Sequence, residues 1–437
     1  MYETWMSKKE APMLGLVGMG GGVASLMWQA SGVTYEEGNI WGSGMNNYRW
    51  FSSGGGPAPW TYQRSSPVKI TGGQNNWIYA YKAGGGASSI LGINADKQLY
   101  IWGPNQTGEW GNNSNNPDTQ STSNTFPNGF TVPGSWISAS NDTGATFGIK
   151  NDGTLWSWGR NDEGKLGLNQ ANTTKISSPT QIGTGTDWQA IRAQGWEDSS
   201  SVMATKTNGT LWMWGNNQQG QVGQNSVSVS RYSSPVQIPG TNWGTSDTSI
   251  DVFNSRAFTC SAGKSAFCIK QDNTLWAWGG GYAGALGLNS QAQVSSPTQI
   301  PGTWSSVKGQ VSNADNWTSA VKPNGEMFIW GNNGYGQLGQ NNRTAYSSPR
   351  QLPGTWKIDG TNGGGARATM FHVKADGTFW SWGYAYGGGL GLNVSKAGSP
   401  SVAVFVSSPT KMGNDSDWIL GGGSAEMTGY FLGGKTR

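Results

Sequence analysis

The sequence predicts an all-β chain, a seven-bladed β-propeller with four-stranded blades, and three observations carry that prediction. The dipeptide Trp-Gly recurs at Trp41-Gly42, Trp102-Gly103, Trp158-Gly159, Trp214-Gly215, Trp278-Gly279, Trp330-Gly331 and Trp382-Gly383, at spacings of 61, 56, 56, 64, 52 and 52 residues. A repeat of about 50 residues rich in Gly and aromatics marks a propeller with one repeat per blade. A second Trp closes each unit, at Trp77, Trp136, Trp188, Trp243, Trp304, Trp356 and Trp418. Finally, the 437 residues include 70 Gly and 25 Trp with only 12% charged residues. Disordered chains are poor in aromatics, whereas indoles at this density can bury a large core.

The elements follow in order within one copy, Trp136 to Trp188. Trp136-Ile-Ser-Ala-Ser reads as a short strand, followed by the polar loop Asn141-Asp142-Thr143-Gly144. Ala145–Lys150 is the next strand, closed by Asn151-Asp152-Gly153, because Asp-Gly between alternating strands signals a hairpin. Thr154–Trp158 follows, with Trp156 and Trp158 two apart and hence on one face. After Gly159 comes the loop Arg160–Asn169. Ser177-Ser178-Pro179-Thr180-Gln181-Ile182 is the fourth strand, with its proline expected at the strand start, where a missing N–H is tolerated. Ser-Ser-Pro recurs at 65–67, 233–235, 295–297, 347–349 and 407–409. The two Trp series, with Trp156, Trp212, Trp276 and Trp380, assign 18 of the 25 Trp to packing between blades.

The pattern Leu-Trp-x-Trp-Gly-x-Asn-x-x-Gly-x-Leu-Gly closely resembles the regulator of chromosome condensation repeat family, over about residues 36–437. That resemblance implies a seven-bladed propeller. Eukaryotic members commonly carry a histidine in the strand after an Ala-Gly step, whereas this chain has one histidine, His372. No segment matches the nucleotide-exchange surface of the eukaryotic exchange factors. The Ser-Ser-Pro-x-Gln-Ile-Pro-Gly-Thr-x-Trp variant looks like the bacterial and bacteriophage branch of these repeats.

Two domains are expected: a Gly-rich apolar arm over residues 1–31 and the propeller over 32–437. After Trp418 the chain has enough residues for two strands, which should complete the sheet begun by Tyr35–Trp41 and so close the ring without free edges. Ala11–Ala30 carries no charge, but five glycines and a proline argue against a spanning helix. Trp5, Met13, Leu14, Leu16, Val17, Leu26 and Trp28 are therefore expected to dock the chain onto neighbours in an assembly. An export signal is the alternative reading of this segment.

Strand alternation places the loops after Trp-Gly on one face, and that face varies in length. The intervals from Trp-Gly to the closing Trp are 36, 34, 30, 29, 26, 26 and 36 residues, so the long ones belong to repeats one, two and seven. Their aromatics Trp50, Phe51, Trp60, Tyr62, Trp110, Tyr384 and Tyr386 are the expected ligand or partner contacts, through glycan stacking or protein contact. Chemistry is expected to be absent: no catalytic residues, no cofactor and no metal. One His and two Cys do not supply the usual ligand sets. Ala262-Gly263-Lys264-Ser265 lacks the first glycine of a phosphate loop, since Phe258 stands there. Cys260 and Cys268 fall on neighbouring strands, either paired or as two free thiols. The net charge of +4 comes from scattered Lys and Arg, unlike the clustered cations of a nucleic-acid footprint. The expectation is a non-enzymatic structural or binding protein of a bacteriophage virion, with virion proteins and a host-surface glycan or protein as partners. A homo-oligomer is compatible with this reading. The alternative is a secreted or surface-anchored bacterial binding propeller; an exchange-factor-like regulator ranks below both.

Overall fold

In a computed structural model, the structure describes residues 89–103, 105–114, 129–171, 173–194, 200–244, 258–261, 264–310, 316–358 and 369–384. It also describes the shorter segments 13–14, 39–45, 63–69, 77–82, 363–365, 392, 405–414, 416, 418–423 and 431–435. Strands β1 (Met13–Leu14), β2 (Asn39–Met45) and β3 (Gln63–Lys69) form one sheet. Six four-stranded antiparallel sheets follow among the described residues. They are β4 (Trp77–Lys82), β5 (Ile90–Asn94), β6 (Leu99–Trp102) and β7 (Phe130–Val132); β8 (Trp136–Asn141), β9 (Ala145–Lys150), β10 (Leu155–Arg160) and β11 (Lys175–Gln181); and β12 (Trp188–Gln194), β13 (Ser201–Lys206), β14 (Leu211–Asn216) and β15 (Arg231–Gln237). The next three are β16 (Phe258–Ser261), β17 (Ser265–Ile269), β18 (Leu275–Gly279) and β19 (Val294–Ile300); β20 (Ser306–Gln310), β21 (Trp317–Val321), β22 (Glu326–Gly331) and β23 (Tyr346–Thr355); and β24 (Gly363–Gly365), β25 (Thr369–Val373), β26 (Phe379–Tyr384) and β27 (Phe405–Lys411). A hairpin of β28 (Trp418–Gly423) and β29 (Phe431–Lys435) ends the described chain.

A register shift marks the Trp-Gly step in five of the third strands. The pairing of β10 with β11 shifts register between Ser157 and Gly159, and β14, β18, β22 and β26 repeat the shift at their own Trp-Gly. Gly159 has φ +99, and a Cβ there would overlap the carbonyl oxygen of Gly144. Only glycine accepts both conditions, as at a β-bulge. This bulge also corrects the expected place of the proline. Pro179 is the fifth residue of β11, not its first. It is tolerated because β11 is an edge strand and Ser177–Pro179 bulge out opposite the single residue Trp158.

The Trp-Gly indoles hold one sheet to the one before it. The Nε1–H of Trp158, Trp214, Trp278, Trp330 and Trp382 donates to the carbonyl oxygen of Glu109, Lys165, Gln221, Ala285 and Gln337, at 2.7–2.8 Å. Each acceptor is the x residue of Gly-x-Leu-Gly or its variant in the preceding repeat. These five rings are at 0% exposure. The cores accordingly lie between sheets; one cluster joins Met203 and Met213 to Phe267, Trp278 and Ile300, then to Val307 and Trp330.

Four Trp depart from the expected burial. Trp156, Trp212, Trp276 and Trp380 are half-buried, not core. Each donates Nε1–H to a threonine hydroxyl two residues back (Thr154, Thr210, Thr274, Thr378) at 2.7–3.0 Å. Their outer faces lie under Lys150, Lys206, Lys270 and Lys374, with Nζ 3.7–5.1 Å from the ring centre, a cation–π arrangement. At the termini, β2 pairs antiparallel with β3 and parallel with β1, while β29 hydrogen-bonds to β28 and packs beside β1 and β2. The expected joining of the first and last segments in one sheet is not seen among the described residues: β1–β3 and β28–β29 are separate sheets, because β1 pairs with β2.

Candidate functional site

The loops after Trp-Gly build one face from a common set of contacts. In Trp158-Gly-Arg-Asn161, the Asn161 side chain accepts from Leu166 N–H (3.0 Å) and donates to the Ala171 carbonyl (2.9 Å). Asn217 and Asn333 do the same in their loops. The loop then reaches the following sheet. The N–H of Asn113, Asn169, Asn225, Asn289 and Asn341 donates to the carbonyl of Ser177, Ser233, Ser295, Ser347 and Ser407 at 2.7–2.8 Å. All five asparagines have φ of 54–58°, a conformation Asn adopts more readily than most residues. Ser178, Ser296 and Ser408 hydroxyls donate back to Asn113, Asn225 and Asn341 at 3.0–3.3 Å.

On this scaffold, charge is buried where sheets β8–β11 and β12–β15 meet. Lys165 and Asp142 are both fully buried and lie 3.3 Å apart, and Lys165 Nζ donates to the Thr143 carbonyl at 2.9 Å. Burial pushes the Asp142 carboxyl above its ordinary value, against the Lys165 ammonium and the Ser200 hydroxyl, which pull it down. Lys165 occupies the x position held by Gln221 and Gln337, whose Oε1 accepts the N–H of Gln219 (2.8 Å) and Tyr335 (2.9 Å) within their own loops. An ammonium has no acceptor, so Lys165 turns to Asp142 instead. Glu109 keeps the loop-capping role, accepting from Thr107 N–H at 2.7 Å, and burial raises its carboxyl too. Buried ion pairs fix geometry more than they stabilise.

The exposed apolar groups lie on the same face. Among the described residues the exposed large hydrophobics are Val227 (41%), Val229 (45%) and Tyr282 (43%), all in loops that follow Trp214-Gly and Trp278-Gly. Lys264 Nζ sits 5.4 Å from the Tyr282 ring centre.

The residues expected from the sequence fall elsewhere. Trp110 is 7% exposed and stacks on Phe130 at 6.5 Å. It occupies the Leu position of Gly-x-Leu-Gly, its N–H bonded to Asn105 Oδ1 as Leu166 N–H is to Asn161. Tyr384 is 8% exposed and packs against Tyr335 and Phe405, at 5.1 and 5.7 Å. The other loop aromatics, Trp50, Phe51, Trp60, Tyr62 and Tyr386, lie outside the described residues. Met13 and Leu14 form β1 against Asn39 and Ile40; the remaining arm residues Trp5, Leu16, Val17, Leu26 and Trp28 also lie outside. Val227, Val229 and Tyr282 were missed because loop length was the signal, and theirs are short.

Cys268 is buried, and the ladder sets it opposite Phe258 while Cys260 stands opposite Ala266. His372 is fully buried against Trp356, and burial holds its imidazole down to about 4. Among the described residues no group of three or more His, Cys, Asp or Glu converges to hold a metal, and no helix is long and apolar enough to cross a membrane.

Comparison with known proteins gives one family. Residues 152–193, 208–260 and 324–358 match the regulator of chromosome condensation (RCC1) repeat. The E3 ubiquitin-protein ligase HERC2 of mouse is 23% identical over 274 residues, which is 62% of this chain and 5% of that protein. The ultraviolet-B receptor UVR8 of Arabidopsis thaliana is 24% identical over 231 residues, 53% of this chain and 49% of the receptor. The chain thus spans half or less of these relatives. Among solved structures, Prp20p of Saccharomyces cerevisiae has TM-score 0.65 and 15% identity, with 91% of each chain covered. Human WBSCR16 has TM-score 0.59 and 17% identity, covering 80% of this chain and 84% of that one. The animal and plant sequence matches lend no support to the bacterial or bacteriophage branch read from the sequence.

Proposed function

From an all-β chain that carries RCC1 repeats, we propose a seven-bladed propeller that acts as a non-enzymatic protein-binding scaffold through its Trp-Gly loop face. Seven repeat units and six four-stranded sheets, with β29 beside β1 and β2, support a ring closed by the two ends of the chain. The observation that carries the binding reading is the exposure of Val227, Val229 and Tyr282 on that one face. Apolar groups on rigidly held loops are the usual material of an interface core. The solved structure of Prp20p is described with its binding to Gsp1p and histones, so a fold of this kind does serve protein recognition. A photocrosslinking residue at position 282, compared with one at Asp152 on the opposite face, tests the reading. Adducts of one defined protein from position 282, lost when Val227 and Val229 become Asp, are expected. Equal adducts from both faces would overturn it.

Within this reading we place the protein in a bacteriophage particle, docked through residues 1–31. The support is the Ser-Ser-Pro variant of the repeat and the uncharged stretch Ala11–Ala30. Mass spectrometry of purified particles decides it: absence of the chain from every particle fraction retires the placement.

A further inference from the structure

Three successive Trp-Gly loops form a sector whose charge has one sign. Residues 217–231, 280–293 and 332–345 contain Arg231 and Arg343 and no Asp or Glu. In the loop before them, residues 160–174, both signs occur and pair within the repeat: Arg160 with Asp162, and Lys165 with Asp142.

The same sector holds the exposed apolar groups, on backbone that is tied down. Asn217 N–H donates to the Ser230 carbonyl at 2.7 Å, and its side-chain amide donates to the carbonyls of Ser226 (3.0 Å) and Val229 (2.8 Å). Ser228 N–H donates to Ser226 Oγ at 3.0 Å. Val227 and Val229 therefore stand in solvent on a fixed loop, and the exposed Arg231 opens β15 two residues on. This loop reaches the next sheet, where Asn225 N–H donates to the Ser295 carbonyl at 2.8 Å. Tyr282 comes from the loop of that next sheet and lies beside the first loop. A Cβ on Gly280 would touch both, 3.0 Å from the Tyr282 ring and 3.5 Å from Gln219 Cβ. Gly280 is itself fastened to β17, its N–H to the Lys264 carbonyl (2.7 Å) and its carbonyl to the Ser265 hydroxyl (2.6 Å). In the third loop Arg343 is exposed; its Nε–H donates to the Gly334 carbonyl at 2.6 Å, and its guanidinium sits 4.5 Å from the Phe405 ring centre.

Ordered apolar groups flanked by cations, with no carboxylate in the loops that present them, call for a partner with apolar side chains and negative charge. A basic segment would meet like charge at Arg231 and Arg343. A nucleic-acid backbone would gain nothing from two valines, and it needs clustered cations, whereas here they are spread one to a loop. We propose that this sector receives an acidic protein segment. Its carboxylates meet Arg231 and Arg343, and its aliphatic or aromatic side chains cover Val227, Val229 and Tyr282. The proposal rests on the protein-binding reading of the loop face and adds the chemistry of the partner.

The test is fluorescence anisotropy with the full chain and three labelled probes. One is a peptide in which Asp and Glu alternate with Leu and Phe, the second is the same peptide with Lys and Arg in place of its acids, and the third is single-stranded oligothymidylate. Saturable binding of the acidic peptide alone is expected, weakening as salt rises. The pair Arg231→Glu and Arg343→Glu should weaken it about tenfold, as should the pair Val227→Ser and Val229→Ser. All four positions are exposed, so both variants should keep the melting temperature of the parent chain. No binding of the acidic peptide overturns the proposal, as does equal binding of the basic one or unchanged affinity in either variant. Tighter binding of oligothymidylate that ignores the serine pair overturns it in favour of a nucleic acid. Failure here is separable from failure of the protein-binding reading. Adducts at position 282 that join a neutral or basic peptide of one defined protein retire the acidic partner alone, whereas equal adducts from both faces retire both readings.

Discussion

In four of the six four-stranded sheets, the two ends use tryptophan in opposite ways. At the end that carries the Trp-Gly loops, the indole is fully buried and its N–H is satisfied by the neighbouring repeat, as Trp214 is by Lys165. At the end that carries the tight turns, Trp156, Trp212, Trp276 and Trp380 are half-exposed and satisfied within their own hairpin by a threonine. That threonine in turn donates to Asp152, Asn208, Asp272 or Asp376 at 2.6–2.7 Å, which holds the three aspartates below the usual carboxylate range. One end therefore joins sheets and the other finishes them. The contrast teaches that residues with the same sequence frequency can have different stability roles, decided by whose acceptor they use.

The largest expected effect is at the joining end. Trp214→Ala removes a fully buried ring and orphans the Lys165 carbonyl, so a loss of about 3–5 kcal/mol is expected in denaturant unfolding. Trp212→Ala, two residues away and half-exposed, should cost clearly less. Equal losses would break the comparison.

Next is the acid limb at the finishing end. His372 stands where Gly148, Ala204 and Ala320 stand in their ladders, opposite the half-exposed ring or its Phe328 equivalent. Its pKa falls from 6.5 unfolded to about 4 folded, because burial disfavours the charged imidazolium. The stability this confers is full above pH 6.5 and is lost as pH falls toward 4. At about 1.4 kcal/mol per pH unit the loss approaches about 3 kcal/mol. The parent-minus-variant difference for His372→Ala should slope over that window and flatten above it. A flat difference from pH 4 to 7 would mean the imidazole is not held neutral.

Asn341→Ala gives a smaller effect. The left-handed φ of 55° is costly for alanine and the Ser408 hydroxyl loses its acceptor, so about 1–2 kcal/mol is expected. Smallest is Tyr282→Ala, expected within about 0.5 kcal/mol in stability while it weakens capture of the partner protein. A large loss of stability would mean the ring packs its own loop.

Much of this architecture was legible because the repeat writes each element several times. The strand Ala145–Lys150 matches β9 residue for residue, and Trp136 opens β8 as read from the sequence. The proline was misplaced because its tolerance depends on its own place in a bulge against Trp158, a feature of the pair and not of the strand. Trp110 was read as a surface contact because length analysis made its loop an insertion. Setting Gly-Glu-Trp-Gly over Gly-Lys-Leu-Gly shows a ring in a leucine's place. The pairing of Lys165 with Asp142 had no signal, since the two fall in separate loops of one repeat. Only the closure of one sheet on the next takes them out of water.

The bond from each asparagine to the serine of the next repeat always points the same way along the chain. Each of these loops is therefore fastened by the repeat that follows it. On a ribosome, the newest sheet would emerge with its loop unfastened and stay so until the following repeat arrived. Maturation of the fold would then trail synthesis by one repeat along the whole length of the array.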